Sequence, residues 1–493
     1  MRLTWHNYKY YPYERQLALR EAATLLGGAV TEVSDGIELG QIELAENADR
    51  LVYFSQVHQG RVTRDTIQAR LEKAAHAGRN RQATRYSVHG LHEYKGKFNP
   101  QIAKAILNVF GIKRGDHVLD PFCGSGTTLV ECSQLGANAT GYDVNPLAVY
   151  LANAKLRALI TPYSVLKFKL INLEKALSTA NKVRTSIPYD ARGIYLREWF
   201  DEDNLILIEN LKRHIEEVCD DDAPFFLILA SNLLRDYSQQ DPGDLRIRRR
   251  TSALPTVPLY EAFSANAKIA ISKLEEAQAI LGDDLPRGRA TLLDVTVVGN
   301  VPAAIRFDAA ITSPPYAMAL PYIDTQRLSL VWLGMVNPNE VLQLESELIG
   351  SREMRGGSRK ILTAHLADNG DNIPNEQYEY CRTLERAIGP EDGFRRKAVP
   401  PLLYRYFSSM KRSFSATRER LKPGAPYALI VGHNHTVLGG IRFDIDTPRH
   451  LAALAESAGW QVDELVELQT YRRYGYHSGN AVSAETLVLL RNS

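Results

Sequence analysis

Apolar residues recur at helical spacing in residues 13–26 (YERQLALREAATLL), which predicts an amphipathic helix. Residues 1–80 around it read as mixed and helix-rich, with strand-like pieces at 40–44 and 51–56. The pattern becomes regular between 111 and 156. A turn at Gly115-Asp116 precedes the apolar run 117–121 (HVLDP), a short buried strand. The Gly-rich stretch 124–126 follows, and 127–135 has the composition and spacing of a helix. Residues 138–143 (NATGYD) predict a second strand. Residues 145–156 (NPLAVYLANAKL) open as a helix, with Asn145 as cap and Pro146 in the first turn. Strand, Gly turn, helix, strand and helix make a βαβα unit, and hence a parallel sheet.

Further along, residues 157–290 contain several helices and a polar, Arg-rich stretch at 236–250 (DYSQQDPGDLRIRRR). Strands are predicted at 290–298, 307–312 and 427–432, and helices at 402–422 and 450–459. Segments 462–471 and 486–491 read as a closing antiparallel hairpin. Residues 336–400 are rich in Gly, Asn, Pro and Arg and predict an insertion with long loops. The fold class is therefore α/β, mostly parallel, with that hairpin at its C-terminal end. Residues 1–85 form an N-terminal extension of unassigned function, and 86–493 the main domain with insertions at about 160–285 and 336–400. No internal repeat or low-complexity segment interrupts this order.

Composition adds bounds. A chain of 493 residues, 44% hydrophobic and 24% charged, has the balance of a protein that buries a core. No apolar run reaches 18 residues, so no membrane span is expected, and the start (MRLTWHNYKYYPYERQ) lacks a signal-peptide core. The four cysteines (Cys123, Cys132, Cys219, Cys381) form no CxxC pair. That spacing suggests neither a zinc site nor a disulfide framework, no metal is expected, and a reducing, cytoplasmic setting fits. The net charge of +2 decides little, because a nucleic-acid binder needs only a local basic surface.

The candidate chemistry starts at 120–128 (DPFCGSGTT). Gly124 and Gly126 let the backbone approach a ligand and take positive φ, and the helix N-terminus beyond them offers free N–H donors. Asp143 ends the next strand, 143 − 126 = 17 residues on, where a carboxylate can accept from both ribose hydroxyls of a nucleoside. The competing reading of Asp143 is a turn acid ahead of Asn145-Pro146. A dinucleotide site fits less well, because the third Gly is missing and no phosphate-binding lysine follows.

DPFCGSGTT followed by GxD resembles the first two motifs of the S-adenosylmethionine-dependent amino-methyltransferases of nucleic-acid bases, the DNA cytosine-N4 and adenine-N6 methylases. The resemblance implies a Rossmann-like methyltransferase fold with S-adenosylmethionine as cofactor. It implies that the loop Asp120, Phe122, Gly124, Gly126, Thr127 and Thr128 holds the methionine part. It gives Asp143, with Asn145 beside it, the ribose. Upstream, 92–101 (HEYKGKFNPQ) resembles the family's extra N-terminal motif, placing Phe98, Asn99 and Pro100 beside the methionine end. Asp294 matches the acid that faces the adenine; a turn acid is the competing reading.

Residues 307–312 run into Ser313-Pro314-Pro315-Tyr316. Two prolines end a strand abruptly, since proline donates no N–H and disfavours α at the residue before it. Ser313 Oγ and neighbouring carbonyls then become fixed acceptors at the strand end. A cytosine or adenine amino group is a poor nucleophile because its lone pair is delocalised into the ring. Acceptors on its N–H bonds localise that pair for attack on a sulfonium methyl, by positioning and preorganised electrostatics. Tyr316 can stack on a base turned out of its helix. Ser at the first position resembles the cytosine-N4 subgroup more than the adenine-N6 subgroup. In the segment after it, Tyr322 and Arg327 are candidates to face the substrate, with core plus surface the better reading.

DNA is the expected partner, RNA stays open, and the oligomeric state is not legible. Three basic clusters are phosphate candidates: Arg246/Arg248/Arg249/Arg250, Arg352/Arg355/Arg359/Lys360 and Arg395/Arg396/Lys397. For each, a solvated face is the competing reading. The gap of 313 − 126 = 187 residues between the motifs exceeds what a bare domain needs, so a recognition element is expected at about 160–285 or 336–400. The open alternatives are an adenine-N6 DNA methyltransferase, a tRNA guanine-N2 methyltransferase of the THUMP-associated type, and a non-catalytic nucleic-acid-binding protein.

Overall fold

The computed structural model describes residues 1–40, 45–75, 82–94, 96–180, 187–244, 247–297, 305–318, 322–354, 358–469 and 484–493. Its strands are β1 (Arg2–Trp5), β2 (Val30–Val33), β3 (Gly36–Leu39), β4 (Phe54–Gln59), β5 (Val62–Asp65), β6 (His117–Asp120), β7 (Asn138–Asp143), β8 (Arg289–Leu292), β9 (Ala309–Thr312), β10 (Pro426–Gly432), β11 (Asn434–Leu438), β12 (Ile441–Ile445), β13 (Trp460–Gln469) and β14 (Ala484–Asn492).

Seven of them form the central sheet in the order β13-β14-β10-β9-β6-β7-β8. Pairs β10/β9, β9/β6, β6/β7 and β7/β8 are parallel, and β14 runs antiparallel to both β10 and β13. Strand periodicity sends successive side chains to opposite faces. Val118, Ala309, Ile311, Ala428 and Ile430 join one buried cluster, and Leu119, Ala310, Tyr427, Leu429 and Val431 the other. Helices Pro100–Val109, Thr127–Gln134 and Pro146–Ile160 cover the first face. Helices Val399–Arg418 and Thr447–Ser457 cover the second.

The N-terminal region differs from the helix-rich expectation. Strands β1 to β5 form an antiparallel sheet in the order β2-β3-β1-β4-β5, flanked by helices Pro12–Leu26 and Ile67–Ala75. Four of the five strands are only four residues long, too short to show alternation. This sheet shares its apolar cluster with the first face of the central sheet. Buried Glu21 of helix Pro12–Leu26 accepts from Asn108 Nδ2 at 3.1 Å across that junction. The predicted strand at 40–44 lies largely outside the described residues, and the one at 51–56 runs from Phe54 to Gln59.

A second difference concerns 336–400. In place of long loops it holds helices Val341–Glu347, Ser358–Asp368, Asn375–Arg386 and Phe394–Lys397. Each buries few side chains (Val341, Leu366, Cys381 and Leu384 among them), so their sequences stay polar while tertiary packing keeps them helical. The strand predicted at 290–298 stops at Leu292, because Asp294 Oδ1 closes a turn by accepting from Thr296 N and Oγ1, each at 2.8 Å. Residue 298 lies outside the described residues, as does Tyr471 at the end of the predicted hairpin. All four cysteines are buried and free. Among the described residues no helix is long and apolar enough to cross a membrane, and no cluster of His, Cys, Asp and Glu could hold a metal.

Candidate active site

The carboxyl ends of β6, β7, β9 and β10 share one edge of the central sheet, the crevice edge of open α/β sheets. The chain leaves β6 at Asp120 and turns through Phe122 to Gly126 into helix Thr127–Gln134. Gly126 caps that helix at φ 82°, and a Cβ there would lie 2.8 Å from Ala152 Cβ, so only glycine fits. Thr127 and Thr128 form the first helical turn and are buried.

Asp143 ends β7 and is half-buried. Its Oδ2 accepts from Gly124 N at 2.9 Å and its Oδ1 from Asn145 N at 2.8 Å. Burial raises its carboxyl to about 6 against the opposing pull of those amides. Asn145 Oδ1 caps the next helix by accepting from Leu147 N at 3.0 Å, and its Nδ2 donates to Gln326 Oε1 at 2.7 Å.

The upstream segment packs against the same loop. The Tyr94 ring lies against Gly124. Phe98 is half-buried. Asn99 caps helix Pro100–Val109 by accepting from Gln101 N at 2.8 Å, with Pro100 at its first position. Asn99 Nδ2 donates to Gln82 Oε1 at 2.8 Å. Lys97 Nζ donates to His89 O at 2.9 Å, and burial pulls its ammonium down to about 8. Lys95 of this segment lies outside the described residues.

β9 lies directly beside β6, with Leu119 opposite Ala310. Thr312 Oγ1 donates to Asp120 Oδ1 at 2.6 Å, and Phe122 N donates to the same atom at 3.2 Å. Asp120 is 2% exposed, and burial raises it to about 6. Its carboxylate thus sits between the two strand ends. One residue later, Ser313 Oγ donates to Ile430 O of β10 at 3.1 Å. Pro314 is buried, and Pro315 and Tyr316 are half-buried. Met318 takes φ 53°, and its carbonyl accepts from Arg352 Nε at 2.6 Å.

The remaining candidates scatter. Asp294 beyond β8 spends its Oδ1 on the Thr296 turn. Arg327 pairs with Asp324 at 2.8 Å on helix Tyr322–Trp332. In the first basic cluster, Arg248 pairs with Asp244, Arg249 stacks on Trp199 and donates to Glu198 O, and Arg250 donates to Asp236 O. In the others, Arg359 lies over Phe394 and Arg396 pairs with Asp392. Arg246 and Arg355 lie outside the described residues, as does residue 321 before the predicted helix.

Several residues at this edge carried no separate signal. Thr312, Tyr94 and Gln326 are ordinary polar or aromatic residues in their segments, and only their hydrogen bonds or ring contacts across the sheet edge mark them. Lys155 had a readable one, a charge on the apolar face of a helix. It is fully buried, donates from Nζ to Ser125 O at 2.9 Å, and burial holds its ammonium well below the usual range.

The strand order, the single antiparallel strand and a Gly loop opposite a strand-end acid define a Rossmann-like fold of the methyltransferase type. Residues 44–154 match the family model described as DNA methylase. The chain is 44% identical over 88 residues to the type II methyltransferase M.MjaII of Methanocaldococcus jannaschii, covering 18% of this chain and 16% of that one. It is 24% identical over 293 residues to M.MvaI of Kocuria varians (55% and 63%). It is 25% identical over 389 residues to M.BsoBI of Geobacillus stearothermophilus (70% and 74%). The chain thus spans less than two thirds of the first two relatives. These similarities support an amino-methyltransferase of the N4/N6 type found among DNA methylases.

Proposed function

We propose that this chain transfers a methyl group from S-adenosylmethionine to the exocyclic amino group of a DNA base, N4 of cytosine in first place. The observation that carries the reading is the adjacency of β6 and β9, which sets the Gly loop beside Ser313 although Gly126 and Ser313 are 313 − 126 = 187 positions apart in sequence. The residues present fit the cofactor. Asp143 keeps carboxylate lone pairs beyond those used by Gly124 and Asn145, and it is half-exposed at the ligand edge, as two ribose hydroxyls require. Asp143 would hold the ribose. The loop from Asp120 to Thr128, with Phe98, Asn99 and Pro100, would hold the methionine end. Asp294 stays a candidate for the adenine side. When bound, the cofactor supplies an electrophilic methyl on a sulfonium.

Ser313 is suited to hold an amino group. Its proton already goes to Ile430 O, which leaves the Oγ lone pairs free to accept. An N–H held there turns the nitrogen lone pair out of conjugation. The rigid Pro314-Pro315 backbone fixes the direction of approach, and Tyr316 offers a stacking face. The cytosine preference rests on Ser313 itself. DNA as partner is supported by the relatives, each named a type II methyltransferase. The helices within 160–285 and 336–400 are the proposed recognition elements of a main domain from 86 to 493, and we assign the enzyme to the cytoplasm.

Mass spectrometry of nucleosides from DNA of cells expressing the chain tests this. N4-methylcytosine is expected. N6-methyladenine instead would overturn the cytosine assignment, and methyl label in tRNA with none in DNA would overturn the DNA assignment.

A further inference from the structure

We propose that Glu485 is a positioning residue that holds the Tyr316 ring for its substrate base. The inference rests on the stacking role given to Tyr316 above. Three neighbouring strands meet at this point. Tyr316 follows the end of β9, Gly432 ends β10, and Glu485, the second residue of β14, lies directly opposite Gly432 in the ladder. The Tyr316 hydroxyl donates to Glu485 Oε1 at 2.6 Å. Between them the ring crosses bare backbone. A Cβ on Gly432 would lie 2.9 Å from Tyr316 Cε2 and 3.1 Å from Cζ, closer than side chains pack.

The phenol is therefore fixed along its length. Pro314-Pro315 restricts its backbone end, Gly432 lets the ring lie flush on the sheet edge, and Glu485 anchors the far end. A tyrosine has two side-chain torsions, and these contacts set both. A ring fixed before the base arrives loses no rotamer freedom on stacking, which is the general gain from preorganisation. The carboxylate needs only to accept, so an amide oxygen at the same place would serve. Glu485 touches the tyrosine and not the reacting atoms, hence its role is indirect.

The test uses full-length Glu485→Ala, Glu485→Gln, Tyr316→Phe and the Glu485→Ala/Tyr316→Phe double variant. Steady-state methyl transfer to DNA should show kcat about ten-fold lower for Glu485→Ala and for Tyr316→Phe, equivalent to one decade of barrier. The double variant should be no worse than either single variant. Glu485→Gln should recover most of the rate, and calorimetric binding of S-adenosylmethionine should be unchanged throughout. Wild-type kcat in Glu485→Ala, or strictly multiplied losses in the double variant, would overturn the proposal. If Glu485→Ala does not fold, Tyr316→Phe removes the same hydrogen bond with β14 intact and decides alone. A second readout is independent of substrate. The 19F resonance of 3-fluorotyrosine at Tyr316 should shift in Glu485→Ala and return in Glu485→Gln. An unmoved resonance sinks the positioning role, whereas a moved one with no methyl in DNA upholds it and fails only the substrate reading.

Discussion

The Thr312 hydroxyl donates to the Asp120 carboxylate at 2.6 Å, joining side chain to side chain the strand that enters the Gly loop and the strand that enters Ser313. Thr312→Val keeps the shape and removes the donor. A buried carboxylate that loses a hydrogen bond costs about 1–3 kcal/mol. Urea denaturation should show a loss of that size, together with weaker cofactor binding. An unchanged midpoint would mean that the contact carries no weight.

Gly126→Ala should be more damaging to binding than to folding. The residue sits at φ 82°, and the added Cβ meets Ala152 Cβ at 2.8 Å. Strain of this kind costs about 1–3 kcal/mol, and the loop can relieve it only by moving away from its ligand-facing shape. Calorimetry with S-adenosylmethionine should report a lost or strongly weakened isotherm from a protein that still melts cooperatively.

Cofactor affinity should depend on pH through Asp143. Burial raises this carboxyl to about 6, so the free protein takes up a proton there as pH falls through 6. The protonated form loses acceptor capacity for hydroxyl donors. Kd for S-adenosylmethionine should then rise below pH 6, by up to about ten-fold per unit. Asp143→Asn should bind weakly with no such dependence. A wild-type Kd that is level from pH 8 to 5 contradicts the ribose assignment.

Ser313→Ala and Tyr316→Ala separate chemistry from binding. Each should lower methyl transfer by about 10²–10³-fold, the usual cost of one preorganised polar or orienting group. Calorimetric binding of the cofactor should stay close to wild type. Full turnover by Ser313→Ala would remove Ser313 from the catalytic assignment.

Stability should carry a pH signature from Glu21. This fully buried carboxylate accepts from Val52 N at 2.9 Å, Tyr53 N at 3.2 Å and Asn108 Nδ2, and burial raises it to about 7. A folded value above the ordinary one means that its contribution is full below about pH 4.5 and is lost as pH rises through 7. His89 and His92, both lowered to about 4 by burial, act in the opposite sense as pH falls from 6.5. Subtracting Glu21→Gln from wild type cancels the histidines. The difference in unfolding free energy should favour wild type by about 1–3 kcal/mol more at pH 5 than at pH 8.

Local features were legible in the sequence. The Gly loop, β7 and the strand before Ser313 fall within two residues of their predicted places, and the helix after β7 starts within one residue of its expected start but runs four residues further, to Ile160. A strand-turn-helix unit is written in consecutive residues, with glycine, asparagine cap and proline each forced by local backbone needs. The N-terminal sheet was not legible. β1 pairs with β3 and β4, whose residues lie tens of positions away, so its four residues gain strand identity only from partners. The helices of 336–400 were misread because they bury little, and polar helices resemble loops by composition.

The sequence by itself determined where the candidate residues lie: a Gly turn, a strand-end acid and Ser313-Pro314-Pro315-Tyr316. Only the tertiary structure decided how they meet. It put β9 beside β6, turned the Ser313 proton onto Ile430, and brought Glu485 to Tyr316 across 169 residues of chain. The physical reason is that backbone preferences act between neighbours in sequence, whereas sheet pairing and side-chain hydrogen bonds act between neighbours in space.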